Sequence, residues 1–384
     1  MTASALTRPG QRDRLSVKLT EIDWRLVILL AMVGAAGSLI LYSVGGGWRP
    51  WAADHAARFV IMIGVLVALA TIDLKWWFRA AYPLFGLFML LVLMTEFTPL
   101  GYVAGGARNW LNLGFIRLQP AEFVKFGLVL ALARWYHSHT AAEARLSWKL
   151  LIPAAMIGVP FVLVAKQPDL GSAMMIGLTG AAMMFLAGLS WKIIAAGAAA
   201  AVAVIPPFVM FVMHDYQRNR VLTFLDPESD PAGTGYNIIQ SKIALGSGGL
   251  LGKGFGLGSQ SQLEFLPERH TDFIFSALSE EFGFLGSFSL LLTYAAIVLI
   301  SLRIASLSYS HFGRLAAAGI TSTFALFVLI NGAMVMGLAP VVGVPMPLLS
   351  YGGSSMMTLM VGFGLVMAVR VHRYKELPKN SGLL

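Results

Sequence analysis

The chain has 384 residues, 57% of them hydrophobic and 12% charged, with a mean hydropathy of +0.73 and a net charge of +9. A soluble domain carries about a quarter of its residues as charged groups; half that share, with apolar runs along the whole length, excludes a soluble fold and makes lipid the main solvent. The lack of cysteine excludes disulfides, a thiolate nucleophile and cysteine metal sites, and the basic residues, confined to short tracts between apolar runs, read as membrane orientation rather than nucleic-acid binding.

Residues 1–23 are polar and basic, without the early apolar core and small-residue cleavage site of a secretory signal. They read as a cytoplasmic tail before a retained first helix. Apolar runs of spanning length then predict about ten transmembrane helices, near 24–44, 59–73, 79–98, 120–137, 149–165, 170–189, 191–213, 272–301, 315–338 and 350–370. The expected fold is an all-α polytopic membrane protein, one transmembrane domain over 24–371, with a cytoplasmic tail at 372–384. With the N-terminus inside, about 17 Lys and Arg fall in cytoplasmic segments, against Arg49, Arg58, Arg108, Arg117 and Lys166 in the short outer loops. Lys and Arg favour the cytoplasmic side, so both termini are placed there and the long segment 214–272 outside.

Charges inside spans are costly and mark candidate functional groups. In the fourth span, Glu122 and Lys125 stand at i and i+3 on one helical face, just after Pro120. Two readings fit: a self-neutralising pair that lets the helix enter lipid, or groups lining a cavity open to the outer leaflet, with Lys125 available to an anionic ligand. Asp169, in "AKQPDLGSAMM", is an N-cap for the sixth span or a site residue. In the long outer loop, Arg218 and Arg220 either pair with Asp226 or Glu228, or bind phosphate through their guanidinium forks. Further on, "YNIIQSKIALGSGGLLGKGFGLG" reads as a lateral amphipathic helix followed by a glycine-rich turn. Its spacing matches neither a P-loop nor a dinucleotide fingerprint.

The tract "PERHTDF" puts Asp272 where the aqueous loop meets the apolar eighth span. A half-desolvated carboxylate there is the sharpest candidate for a general base; the alternatives are an N-cap or a partner for Arg269. Glu280 and Glu281 lie deeper in the same span, with no partner that the sequence identifies. Near the end, "PMPLLSYGGSS" is irregular backbone at membrane depth, tolerated only against protein or a water-filled cavity. Ser350, Tyr351, Ser354 and Ser355 offer hydrogen-bonding groups there. No acidic cluster assigns a metal site, although a divalent ion such as Mg2+ could add positive charge.

These tracts carry a resemblance. "RNWLNLGFIRLQPAEFVK", "KQPDLGSA", "RVLTFLDPESDPAGTGYNIIQSKIALGSGGLLGKG", "FLPERHTDFIFSALSEEFGFLG" and "PVVGVPMPLLSYGGSS" resemble the SEDS family (shape, elongation, division and sporulation proteins) over nearly all the chain after the N-terminal tail. The Arg in "LPERHTDF" and the short N-terminal tail favour the cell-elongation branch over the division paralogue. The resemblance implies a ten-helix inner-membrane glycosyltransferase that polymerises lipid II at the outer membrane face and releases undecaprenyl diphosphate. It implies that Asp272 is the family's essential aspartate, and that Glu122, Lys125 and Asp169 match the family's pair and its "QPDLG" aspartate. The implied partners are a class B penicillin-binding protein and the elongation-complex proteins MreC and MreD. A lipid II flippase is the rival reading. It would need polar groups along a path through both leaflets, whereas here they gather in the outer half. A scaffold without chemistry would not require Asp272 and Glu122.

Overall fold

The computed structural model describes residues 15–104, 107–112, 114, 117–139, 148–197, 199–200, 203, 235–263, 265–266 and 268–378. Arg218 and Arg220, much of the span expected at 191–213, and the outer parts of both tails lie outside the described residues. A short α1 (Leu15–Thr20) leads into α2 (Trp24–Val44), α3 (Ala53–Ala70) and α4 (Leu74–Phe97). The 21 residues of α2 rise about 31 Å, enough to cross a bilayer core. The helix expected from 59 starts at Ala53, because His55 is buried and hydrogen-bonded to Ser38 of α2 at 3.0 Å. Asp73 caps α4 through the Lys75 N–H, which starts that helix five residues before the apolar run at 79.

Where the sequence predicts a plain outer loop, three antiparallel strands form a small sheet in the order β1 (Gly101–Ala104), β2 (Ala107–Asn112), β3 (Arg117–Leu118), with Tyr102 opposite Trp110 and Leu111 opposite Leu118. The alternation of buried and half-buried residues along β2 seats one face of the sheet on the bundle. Next come α5 (Pro120–Ser138), α6 (Leu151–Lys166) and α7 (Leu170–Leu186). Helix α8 (Tyr236–Ser247) forms where the lateral helix is expected, followed by the single turn α9 (Ser259–Gln262). The chain ends with α10 (Ile274–Ser306), α11 (His311–Val335) and α12 (Gly353–Val371).

Among the described residues, seven helical segments are long and apolar enough to cross a membrane. Helix α5 fails that test because it carries Glu122, Lys125 and Arg134. It tolerates them because it runs through the middle of the bundle, against α4, α7, α11 and α12, with nearly every side chain buried. The outward faces of the surrounding helices are apolar instead, with Met32, Val60, Ile61, Leu90, Val162 and Leu299 exposed, as a lipid-facing surface requires.

Helix α10 is broken at Gly283, where φ is 64° and ψ −162°. The break frees the carbonyls of Glu280 and Glu281 and the N–H groups of Phe284 and Leu285. The glycine-rich turn 248–254 takes up all four: Lys253 and Gly254 donate to those carbonyls at 3.0 Å, and the carbonyls of Gly249 and Leu250 accept from 284 and 285 at 2.8 and 3.1 Å. Close packing is what Gly248 and Gly252 serve in this turn. A Cβ on Gly252 would meet the Glu281 carbonyl oxygen at 2.1 Å. Lys253 also pairs with the fully buried Glu280 at 2.6 Å, and Ser43 of α2 donates to Glu281. The two buried glutamates therefore pin the turn and α2 to the broken helix.

At one end of the bundle the segment before α2 meets the segment after α12. Arg373 pairs with Glu21 at 2.9 Å, Lys375 with Asp73, and the Arg373 carbonyl accepts from the Tyr309 N–H at 2.8 Å.

Candidate active site

The opposite end holds a cavity of about 420 Å³, walled by β2, the N-termini of α5 and α7, the turn before α10 and the irregular segment 340–355. It brings together Glu122, Asp169, Glu268, Asp272 and Ser354, which are up to 232 positions apart in sequence.

Asp272 is held by its backbone. Asn331 of α11, fully buried, donates from Nδ2 to the Asp272 carbonyl at 2.8 Å and to the Val344 carbonyl at 2.7 Å. The Ser350 hydroxyl donates to the Thr271 carbonyl at 2.6 Å, and the Tyr351 N–H to the His270 carbonyl at 2.9 Å. Three consecutive carbonyls are thus clamped by α11 and the 344–351 segment, which explains why this Pro- and Gly-rich stretch is irregular. Gly343 lies against the carboxylate: a Cβ built on it would sit 3.7 Å from Asp272 Oδ2. The N-cap position of α10 falls on Phe273, one residue later, with no side-chain cap.

Ser350 belongs to this clamp and not to the cavity wall. Its hydroxyl accepts from the Met346 N–H at 2.8 Å while donating to Thr271, so both of its roles are taken. Ser354 and Ser355 do line the cavity, and Ser354 Oγ accepts from the Gln119 N–H at 3.1 Å.

Glu122 and Lys125 form a buried pair at 2.6 Å, and Lys125 Nζ sits 4.4 Å from the centre of the Phe327 ring. The pair neutralises itself, as one expected role has it; of the other, only Glu122 faces the large cavity, and Lys125 does not line it. Lys125 opens instead on a small void between α5, α11 and α12, lined by Thr323, Phe327 and Thr358. Asp169 caps α7, accepting from the Ser172 N–H at 3.0 Å, and lines the cavity as well. At the rim, His270 stacks on Trp51 with ring centres 4.2 Å apart. Burial holds its imidazole below the ordinary histidine range, against the pull of Glu268 and with the help of Arg269. Among the described residues, no group of three or more His, Cys, Asp or Glu side chains is arranged to hold a metal ion.

Sequence reasoning passes over Asn109, Gln119 and Asn331. A buried amide in an apolar span was a legible signal for Asn331; Asn109 and Gln119 matter only once the sheet and three helix ends meet.

The cell cycle protein family of FtsW, RodA and SpoVE matches residues 21–375. The chain belongs to the FtsW/RodA/SpoVE family. Among relatives of this FtsW/RodA/SpoVE protein, the peptidoglycan glycosyltransferase MrdB of Escherichia coli K12 is 42% identical over 355 residues, 92% of this chain and 94% of that protein. Stage V sporulation protein E of Bacillus subtilis is 33% identical, covering 94% of this chain and all of its own length. Of solved structures, a chain of a peptidoglycan synthase complex that coordinates polymerization and crosslinking superposes with a TM-score of 0.77 at 32% identity, over 92% of this chain and 99% of that one. Rod shape determining protein RodA of Thermus thermophilus superposes with a TM-score of 0.70 at 29% identity, over 92% and 98%.

Proposed function

We propose that the protein is a peptidoglycan glycosyltransferase of cell elongation that polymerises lipid II at the outer face of the bacterial cytoplasmic membrane. The observation that carries this is the cavity that gathers Asp272, Glu122 and Asp169 at the end of the bundle away from the Glu21–Arg373 pair. With both termini cytoplasmic, as the Lys and Arg distribution indicates, that end faces outward, where lipid-anchored sugars meet water. Polar groups gathered at one end suit an enzyme acting at one leaflet better than a flippase.

In this reading Asp272 takes the proton from the C4 hydroxyl of one lipid II as its oxygen attacks the anomeric carbon of another. The bond from that carbon to the diphosphate breaks, and undecaprenyl diphosphate leaves with the bonding pair. The clamp on residues 270–272 keeps the carboxylate at the cavity wall while substrate moves. Arg218 and Arg220, outside the described residues, are proposed to hold the diphosphate, where guanidinium forks match phosphate oxygens. A class B penicillin-binding protein is the proposed crosslinking partner, within an assembly that includes MreC and MreD.

The test is polymerisation of fluorescent lipid II by purified protein, with and without the class B partner. Wild type should make glycan strands. Asp272→Asn should stay folded, keep its partner and lose roughly two to four orders of magnitude in rate. Near-normal polymer from Asp272→Asn would remove it from the reaction.

A further inference from the structure

Asp169 is surrounded by donors. Its Oδ1 accepts from the Ser172 N–H at 3.0 Å, and its Oδ2 from Asn109 Nδ2 and Gln119 Nε2, both at 2.7 Å. These donors come from three places: the start of α7, the middle of β2 and the N-cap of α5. Gln119 reaches a fourth, since its own N–H donates to Ser354 Oγ at the start of α12. Asn109 is 8% exposed, and its Oδ1 is buried without a hydrogen-bond partner among the described residues. Turning that amide over would set its oxygen against the carboxylate, so its orientation is determined by Asp169.

We infer that Asp169 is a positioning residue rather than a proton carrier, and that Asn109 and Gln119 are positioning residues with it. The three form a frame that sets the sheet and the N-termini of α5, α7 and α12 around the cavity. This rests on the glycosyl-transfer reading above. Taking a proton would leave Asp169 uncharged and weaken the charge-assisted bonds from Asn109 and Gln119 that seat β2 and α5. Gln119 stands three residues before Glu122, at the start of the same helix. A displaced α5 N-terminus therefore moves Glu122 relative to Asp272. Misplacement of catalytic geometry by about 1 Å costs on the order of a hundredfold in rate.

The decisive variant exchanges donor and acceptor: Asn109→Asp together with Asp169→Asn. It keeps one carboxylate and one amide facing each other, Asn remains a competent N-cap for α7, and Gln119 can turn its amide over so that Oε1 accepts from the amide now at position 169. Asp169→Asn and Gln119→Leu should each lower kcat strongly and leave the shape of the pH–rate profile unaltered; Asn109→Asp, which sets two carboxylates against each other, should lower kcat as well. The double change should restore most of the lost rate and most of the lost thermal stability. The inference is overturned if the folded double variant stays as slow as Asp169→Asn, or if Asp169→Asn alone abolishes the acidic limb of the profile. Should the double variant not fold, the acidic limb in Asp169→Asn still decides. Wild type inert on lipid II would defeat the glycosyl-transfer reading, whereas the coupling of Asn109 and Asp169 in thermal unfolding is measured without any activity.

Discussion

A buried charge is tolerated only with its partner, and Lys125 and Glu122 are 2% and 5% exposed. Removing one member of such a pair strands the other and typically costs about 3–5 kcal/mol, whereas replacing both by groups of similar shape costs far less. Lys125→Met should therefore lower the unfolding temperature of the detergent-solubilised protein markedly. Glu122→Gln with Lys125→Met should recover most of the loss, and equal destabilisation of single and double variants would deny the pair its structural role. His270 offers a pH test. Its folded imidazole titrates below the ordinary 6.5, so as pH falls the unfolded chain takes a proton before the folded one does. The stability it contributes is therefore full above about pH 6.5 and is lost as pH falls toward the folded value. His270→Phe keeps a ring for Trp51 to stack on but removes the proton. Its melting temperature should fall less than that of wild type between about pH 7 and 5; parallel curves would refute this.

At the scale of elements, the break in α10 joins two parts of the protein that the sequence separates. Gly283 lies in a backbone region essentially confined to glycine, and a Cβ there would meet the Gly252 nitrogen at 2.3 Å. Strain of that kind costs about 1–3 kcal/mol before any clash is counted. Gly283→Ala should therefore destabilise the protein and expose the 248–254 turn to proteolysis. Gly64→Ala, inside α3 with no atom near its added methyl, is the control. It should be neutral or gain up to about 1 kcal/mol. Similar melting temperatures for the two variants would mean that the turn does not depend on the break.

For the whole molecule, the orientation is testable because the chain has no cysteine of its own. Leu100, between α4 and the sheet, and Tyr309, between α10 and α11, are 41% and 60% exposed. In intact cells, Leu100→Cys should react with a membrane-impermeant maleimide and Tyr309→Cys only after permeabilisation. The reverse pattern would invert the protein and place the cavity inside.

The sequence by itself determined the solvent, because lipid demands long apolar runs and the cost of a charge inside them is visible residue by residue. It also determined the bounds of α2, α5 and α12 to within three residues, while α3 and α4 begin six and five residues before the starts expected at 59 and 79. It showed the inward bias of Lys and Arg, and that Glu122, Lys125, Asp169 and Asp272 needed an explanation. Helices are local objects, and so is the price of a misplaced charge. Only the tertiary structure decided which of these groups share a cavity, since Asp272 and Glu122, 150 positions apart, line the same one. It decided that Ser350 clamps a carbonyl instead of facing the cavity, and that Glu280 and Glu281 hold a turn against a broken helix. It also placed Asn109 and Gln119 on Asp169. An amide reads as an ordinary polar residue in a sequence; its meaning depends on the one acceptor within reach, and folding alone brings that acceptor to it.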